Sequence, residues 1–394
     1  MHDLKKEDLL KNLKELALLF LKLGTIGFGG PAAHIAMMEE EVVRKRKWLT
    51  ENQFLDFIGA TNLIPGPNST EMAIHIGQER AGFWGLIVAG VCFIFPAMTI
   101  VMVVAWAYSI YGKLPEVQGL LYGTKPVIVA IIAQAIWNLA RKTMKSKLLA
   151  VLGVCAMGAS LLGQSELLIL LGFGFLTLLI RKVQMRGSGP TIGALLAVSI
   201  FSRRSAWALG ALATVPMLVP FSHGKLFLFF LKVGSVLYGS GYVLLAFLQG
   251  TLVEKYGWLT QSQLLDATAV GQFTPGPVFT TATFIGYILS GVSGAFIATL
   301  GIFLPSFFFV AISSRLIPAI RKSTWAGAFL DGVNAASLGL MGAVTILLGK
   351  AALVDTTTIA LGVVSAVILI RWKINSAWLV LAGALFGSLK IFLS

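Results

Sequence analysis

NLIPGPNST at residues 62–70 and QFTPGPVFT at residues 272–280 are two versions of one interruption. Each sits inside an apolar stretch, 52–82 and 260–291, that is too short for two bilayer crossings, because one crossing helix takes about 20 apolar residues. Proline removes a helix donor and glycine admits unusual backbone angles, so Pro-Gly-Pro breaks the helix that reaches it. Either segment is therefore a broken helix or a re-entrant hairpin.

Outward from these motifs the chain repeats itself. Residues 20–70 align without a gap on 230–280 at a constant offset of 210, with 18 identities in 51 positions, more than shared composition produces. Phe20, Leu21, Lys22 and Gly24 match Phe230, Leu231, Lys232 and Gly234; WLT at 48–50 matches WLT at 258–260; Asp56 matches Asp266. The chain reads as two copies of one unit, 1–186 and 222–394. A linker with one crossing helix at 187–221 joins them.

The rest of the chain is apolar on the same scale. Of 394 residues, 57% are hydrophobic and 12% charged, about half the ~25% charged share of a soluble domain. A soluble enzyme is excluded, and the reading is an all-α, polytopic membrane protein. The net charge of +14 lies in short connections, where it marks topology rather than a nucleic-acid surface. Cys92 and Cys155 lie within apolar stretches and offer no disulfide framework. The opening MHDLKKEDLLKNLKE has no small-residue cleavage site, so the first helix is expected to stay in the mature protein.

Loop charges orient the copies. In the first, the basic loops hold Arg141, Lys142, Lys145 and Lys147, then Arg181, Lys182 and Arg186; in the second they hold Arg315, Arg321 and Lys322, then Arg371 and Lys373, at non-equivalent places. Short cytoplasmic loops are enriched in Lys and Arg, so the bias has swapped loops and the copies are inverted repeats. The expected count is about 13 spans, with the N-terminus cytoplasmic and the C-terminus outside. Full crossings at 52–82 would place Arg44 to Lys47 outside, a conflict that a re-entrant path removes.

Inverted repeats with interrupted helices are a recurrent transporter design, since unwound backbone at mid-bilayer is tolerated where it lines a cavity. GFGGP at 27–31, facing YGSG at 238–241, supplies a second break in each copy. Half-helix N-termini aim free N–H groups at a break and favour an anion. The candidate binding residues are Gly29, Gly30, Asn62, Pro65, Gly66, Pro67, Asn68, Ser69 and Thr70 in the first copy. Gly239, Ser240, Gln272, Thr274, Pro275, Gly276, Pro277 and Thr280 are their counterparts in the second. Asn68 or Ser69 is expected to cap the helix after the first PGP, with Glu71 reaching back; the bland alternative is that Gly and Pro only permit kinks and close packing.

Lys22 and Lys232 each lie in an apolar span before a break. An unpaired ammonium there costs roughly 2.5 to 3.5 kcal/mol. They are countercharges for a doubly negative guest, partners of Asp56 and Asp266, or cations whose stems snorkel to an interface. His34 and His75 have no counterparts in the second copy and are packed residues, substrate donors or proton carriers. Asp56, Glu71, His75 and Asp266 are the candidates for coupling or ion pairing. Gln134 and Asn138 line a cavity or join helices. Arg80 and the Glu39–Lys47 charge cluster fit helix ends. The chain has no GxxxxGKS/T, HExxH, CxxC or GxSxG, so no nucleotide-driven pump, cofactor, metal site or catalytic residue is expected.

GFGGPAAHI at 27–35, WLTENQFLD at 48–56, NLIPGPNSTE at 62–71, WLTQSQLLD at 258–266 and TPGPV at 274–278 closely resemble the chromate ion transporter family, over essentially the whole chain. The resemblance implies a prokaryotic inner-membrane protein that exports chromate, a tetrahedral dianion like sulfate, with its two copies antiparallel. The implied partners are that oxyanion, the lipid bilayer and a second copy in a homodimer, with no nucleic acid. Sulfate or another divalent oxyanion is the alternative cargo, and a membrane enzyme acting on lipid phosphates is a reading of another class. Val278, Phe279 and Gly241 replace Asn68, Ser69 and Pro31, so the first copy is expected to dominate substrate contact.

Overall fold

The computed structural model describes residues 2–112, 114–185, 219–238, 241–321, 324–372, 374 and 376–393. The helix expected at 205–221 falls almost wholly outside them, as do Gly239 and Ser240. All regular structure among the described residues is helical. The first half comprises α1 (His2–Ile26), α2 (Gly30–Glu39, continued by a π-turn Glu40–Lys45), α3 (Glu51–Thr61), α4 (Asn68–Tyr111), α5 (Pro115–Thr143), α6 (Lys147–Leu161) and α7 (Glu166–Met185). The second comprises α8 (His223–Val236), α9 (Leu244–Phe247, continued by a π-turn Leu248–Lys255), α10 (Gln261–Phe273), α11 (Thr281–Arg321), α12 (Thr324–Ala352), α13 (Thr356–Trp372) and α14 (Ser376–Leu393).

The repeated sequence becomes repeated local structure. Thr50 and Thr260, which end the two WLT motifs, start α3 and α10 with the same reciprocal cap, closed by Gln53 and Gln263. Such a box satisfies two donors that a bare helix start leaves open. α4 and α11 are each broken inside, at Ala81–Gly82 and Ser290–Gly291. Gly82 and Gly291 adopt positive φ, and the two arms of each helix fold against each other. Gly77 faces Gly85, and Gly286 faces Gly294, so closely that a methyl group on any of them would strike the opposite carbonyl.

Contacts along the first half trace two hairpins that share a base. α2 runs back along α1, bringing His34 to Gly27 and Glu41 to Lys22. α3 and the first arm of α4 meet at their tip through Asn62 and Asn68, and farther out through Phe57 stacked on His75. At the base Arg80 lies over Trp48 and ion-pairs with Glu15. The chain therefore reverses direction at the PGP segment, and the Arg44–Lys47 cluster lies at the same end of the hairpins as Glu15. In the second half His223, at the start of α8, bonds Ser290 and meets Phe221 edge to face, and Phe221 in turn packs on Trp258.

The second arms of α4 and α11 form the spine. Leu86 clusters with Val310 and Gly90 packs on Phe307, so the numbering rises in one as it falls in the other and the arms are antiparallel. α5 packs along α13 and α14, with Gly123 against Gly383 and Gly387, while α12 packs on α6 and α7. Four helices, Asn68–Tyr111, Pro115–Arg141, Val278–Ile312 and Trp325–Ala352, are long and apolar enough to cross a membrane. Phe83, Trp84, Phe95, Trp106, Phe296 and Phe308 on these helices are exposed. An apolar surface of that extent is matched by lipid rather than water; the chain is a multi-pass membrane protein.

Candidate functional site

The four breaks converge where the halves meet. The Gly66 N–H donates to Leu237 O at 2.8 Å, and the Gly276 N–H donates to Gly27 O at 2.8 Å. These bonds are equivalent under the offset of 210, so each PGP tip holds the interrupted helix of the other half. Pro65, Gly66 and Pro67 are buried, as are Pro275, Gly276 and Pro277. Gly29 and Gly30 turn the first break with φ of 103° and 76°.

The side chains at the tips divide into those already bonded and those left open. Asn68 Nδ2 donates to Asn62 Oδ1 at 2.9 Å, and Asn62 Nδ2 donates to Ile58 O at 2.8 Å. Thr274 and Thr280 spend their hydroxyls on Val270 O and Pro277 O, both at 2.8 Å. Gln272 is half-buried. The cap expected from Asn68 or Ser69 with Glu71 is not formed: Pro67 occupies the cap position, has no side-chain acceptor, and Glu71 turns inward. Thr70 and Glu71 send their N–H groups to Pro67 O, leaving the first N–H groups of α4 outside the helical ladder. Ser69, Thr70 and Glu71 are fully buried, and neither Glu71 oxygen nor Thr70 Oγ1 has a hydrogen-bond partner. Ser306 Oγ, from α11, is equally buried and unpartnered. Gly66 leaves room between them, because a Cβ there would strike both Glu71 Oε1 and Ser306 Oγ.

The lysine partners differ from those expected. Lys22 pairs with Glu41 at 3.1 Å rather than with Asp56, and its side chain is 55% exposed. Asp56 is exposed on α3. Asp266 pairs with Lys125 at 3.3 Å, not with Lys232, and accepts the Tyr108 hydroxyl at 2.8 Å. Lys125 also donates to Ser262 Oγ at 2.7 Å. Lys232 instead lies within electrostatic reach of Glu166. The π-turn after α2 brings Glu41 to Lys22, and α7 supplies Glu166 near Lys232, neither of which a strict repeat alignment pairs.

His34 is part of the clasp rather than an open donor. Its Nε2 bonds Gly27 O at 2.8 Å, the same oxygen that receives the Gly276 N–H, and its Nδ1 is buried without a partner. His75 is buried against Phe57 with Nε2 unpartnered. Gln134 bonds Leu369 O at 2.8 Å and so joins α5 to α13. A groove of about 650 Å³ between α5 and α12, lined by Val129, Ile136, Thr345, Ile346 and Lys350, contains none of the break residues. Among the described residues no group of three or more His, Cys, Asp or Glu side chains could hold a metal ion.

The family model described as chromate transporter matches residues 14–179 and 224–388, one stretch in each half. The chain belongs to the chromate transporter family. A chromate transport protein of Cupriavidus metallidurans is 32% identical over 376 residues, covering 94% of this chain and 91% of that protein. One of Pseudomonas aeruginosa is 30% identical over 378 residues, covering 93% of this chain and 90% of that one. These chromate transporter relatives are transport proteins, not enzymes. No solved structure matches the chain.

Proposed function

We propose that this protein is a secondary transporter that exports chromate across the inner membrane by alternating access, with sulfate or another divalent oxyanion as the alternative cargo. The observation that carries the reading is the reciprocal pair of bonds, Gly66 N–H to Leu237 O and Gly276 N–H to Gly27 O. In transporters built on inverted repeats, half-helix ends at the repeat interface form the substrate site. The moving units each combine elements of both halves, since α5 packs along α13 and α14 and α12 packs on α6 and α7. The antiparallel second arms of α4 and α11, and the bias of basic loops, support inversion. The re-entrant hairpins enter from opposite faces, with the N-terminus cytoplasmic and the C-terminus outside.

In the clasped arrangement the two tip N–H groups are bonded to carbonyls, so an arriving oxyanion has to replace Leu237 O and Gly27 O as their acceptor. Parting the clasp on one side then exposes the N–H groups of Gly66, Asn68 and Ser69 to a tetrahedral dianion, whose oxygens are good acceptors for a helix N-terminus. Lys22, exposed and held by Glu41, and Lys232 act as long-range countercharges on the approach. Purified protein in proteoliposomes is expected to move chromate, with sulfate competing. Lys22→Ala with Lys232→Ala is expected to lower flux at equal protein level. Unchanged flux removes the lysines from the path, and absence of chromate movement in the wild type rejects the function.

A further inference from the structure

The first arm of α4 carries three titratable side chains at four-residue intervals, Glu71, His75 and Glu79. Four residues are about one helical turn and 6 Å of rise, so the three share a face. They form a gradient of burial from the tip of the hairpin to its base: Glu71 is 0% exposed, His75 is 2% exposed and Glu79 is open to solvent. Both Glu71 oxygens and His75 Nε2 lack hydrogen-bond partners. Among the described residues no cation is placed against Glu71. From α11 it meets Ser306, from the break after α8 it meets Tyr238, and on its own helix Thr70 precedes it. His75 meets Phe57 of α3, and the charged pair Arg80–Glu15 closes the base.

Packing alone does not call for these residues. The equivalent arm of the second half builds the same tight hairpin with Thr281, Ile285 and Leu289 at the matching positions. Among the described residues the ladder occurs in the first half alone, and there a buried carboxyl is left open at the tip. An ionised carboxylate without a partner in a dry site is too costly to persist, and it is discharged by taking a proton.

We infer that Glu71, His75 and Glu79 are a proton relay and that Glu71 carries a proton which binds together with the oxyanion; the coupling half of this inference rests on the transport reading above. A proton from the base passes by way of Glu79 and the open nitrogen of His75 to a carboxylate oxygen of Glu71, forming its O–H bond; release runs the same bonds in reverse. One water spans each turn-long gap. A charged Glu71 beneath the Gly66 tip repels a dianion held there, whereas a neutral acid does not. The first half thus senses protons while both halves contribute tips.

The test has two readouts. At neutral pH the purified wild type is expected to show the infrared carbonyl stretch of a protonated carboxylic acid, and E71Q to lack it. At a pH above the titration of Glu71, where its carboxyl is ionised before binding, chromate added to wild type is expected to draw protons from a weakly buffered solution beyond the anion's own titration, with E71Q as the subtraction control. Above the titration of Glu71, wild-type affinity falls by up to about tenfold per pH unit while the E71Q curve stays flat. E71D keeps a carboxyl and is expected to restore a pH dependence. Absence of the band overturns the proton site. The band with chromate binding but no linked proton uptake overturns the coupling and leaves the transport reading intact. The band without chromate binding or movement defeats the transport reading and leaves the proton site standing.

Discussion

At the scale of single residues, Gly66 is the most constrained position at the tips. Its φ is 140°, and a Cβ would strike Glu71 and Ser306. Gly66→Ala is expected to cost about 2 kcal/mol through backbone strain and overpacking, and to reduce transport more than the loss of folded protein explains. Thermal unfolding in detergent, read beside flux, checks this. Asp266 and Lys125 form a buried cross-half ion pair, with side chains 3% and 15% exposed. Asp266→Asn alone is expected to destabilise by about 3 kcal/mol, because it leaves Lys125 without its countercharge. Adding Lys125→Met is expected to recover most of that loss, as measured in a double-mutant cycle. The PGP motifs were legible because proline and glycine constrain the chain locally. The partners of Asp266 were not, because Tyr108 and Lys125 lie 158 and 141 positions away in sequence and nothing local marks them. The Lys22–Glu41 pair was not legible for a similar reason, since it takes a π-turn to bring Glu41 beneath the lysine.

At the scale of elements, the repeated caps make a comparison possible within one molecule. Thr50→Ala and Thr260→Ala each remove a reciprocal cap and are each expected to cost about 1 kcal/mol. Similar losses at the two sites, read from unfolding of the single variants, support equivalence of α3 and α10. Glu71 was misread at this level. The Asn/Ser-to-Glu spacing resembles a capping box, but Pro67 starts the helix one position earlier and the carboxylate is turned into the core. The boundary near Gly82 was visible as the end of one apolar stretch; whether it meant crossing or reversal depended on the tertiary contact of Gly77 with Gly85. The α12–α13 turn adds a pH-sensitive join outside the spanning segments. Asp355 accepts the Tyr122 hydroxyl at 2.6 Å and the Thr358 N–H at 2.8 Å, with Lys390 at 3.7 Å. The Tyr122 bond first, then the Thr358 bond, lower its pKa from 3.8 to about 2. A depressed folded-state pKa gives stabilisation that is present above the ordinary value and is lost as pH falls through the folded one. Hydrogen exchange at the Thr358 N–H is therefore expected to accelerate as pH drops from about 4 toward about 2, after correction for the intrinsic rate. Asp355→Asn should remove that step.

At the scale of the whole molecule, two related halves interlock through interrupted helices instead of packing side by side. Their relatedness was legible from the offset of 210, and their opposed charge bias from the loops. The reciprocal clasp was not legible, because main-chain bonds between Gly66 and Leu237 or Gly276 and Gly27 leave no trace in residue type. The central claim is that the hairpin bases of the two halves face opposite sides of the membrane. Glu51 and Gln261 are equivalent positions at the starts of α3 and α10. The most direct test replaces each by cysteine, singly, after Cys92→Ala and Cys155→Ala, and labels sealed right-side-out and inverted vesicles with a membrane-impermeant maleimide. Labelling of Glu51→Cys from the cytoplasmic side and of Gln261→Cys from the other is the predicted result; labelling of both from the same side contradicts the inverted architecture and the alternating-access mechanism built on it.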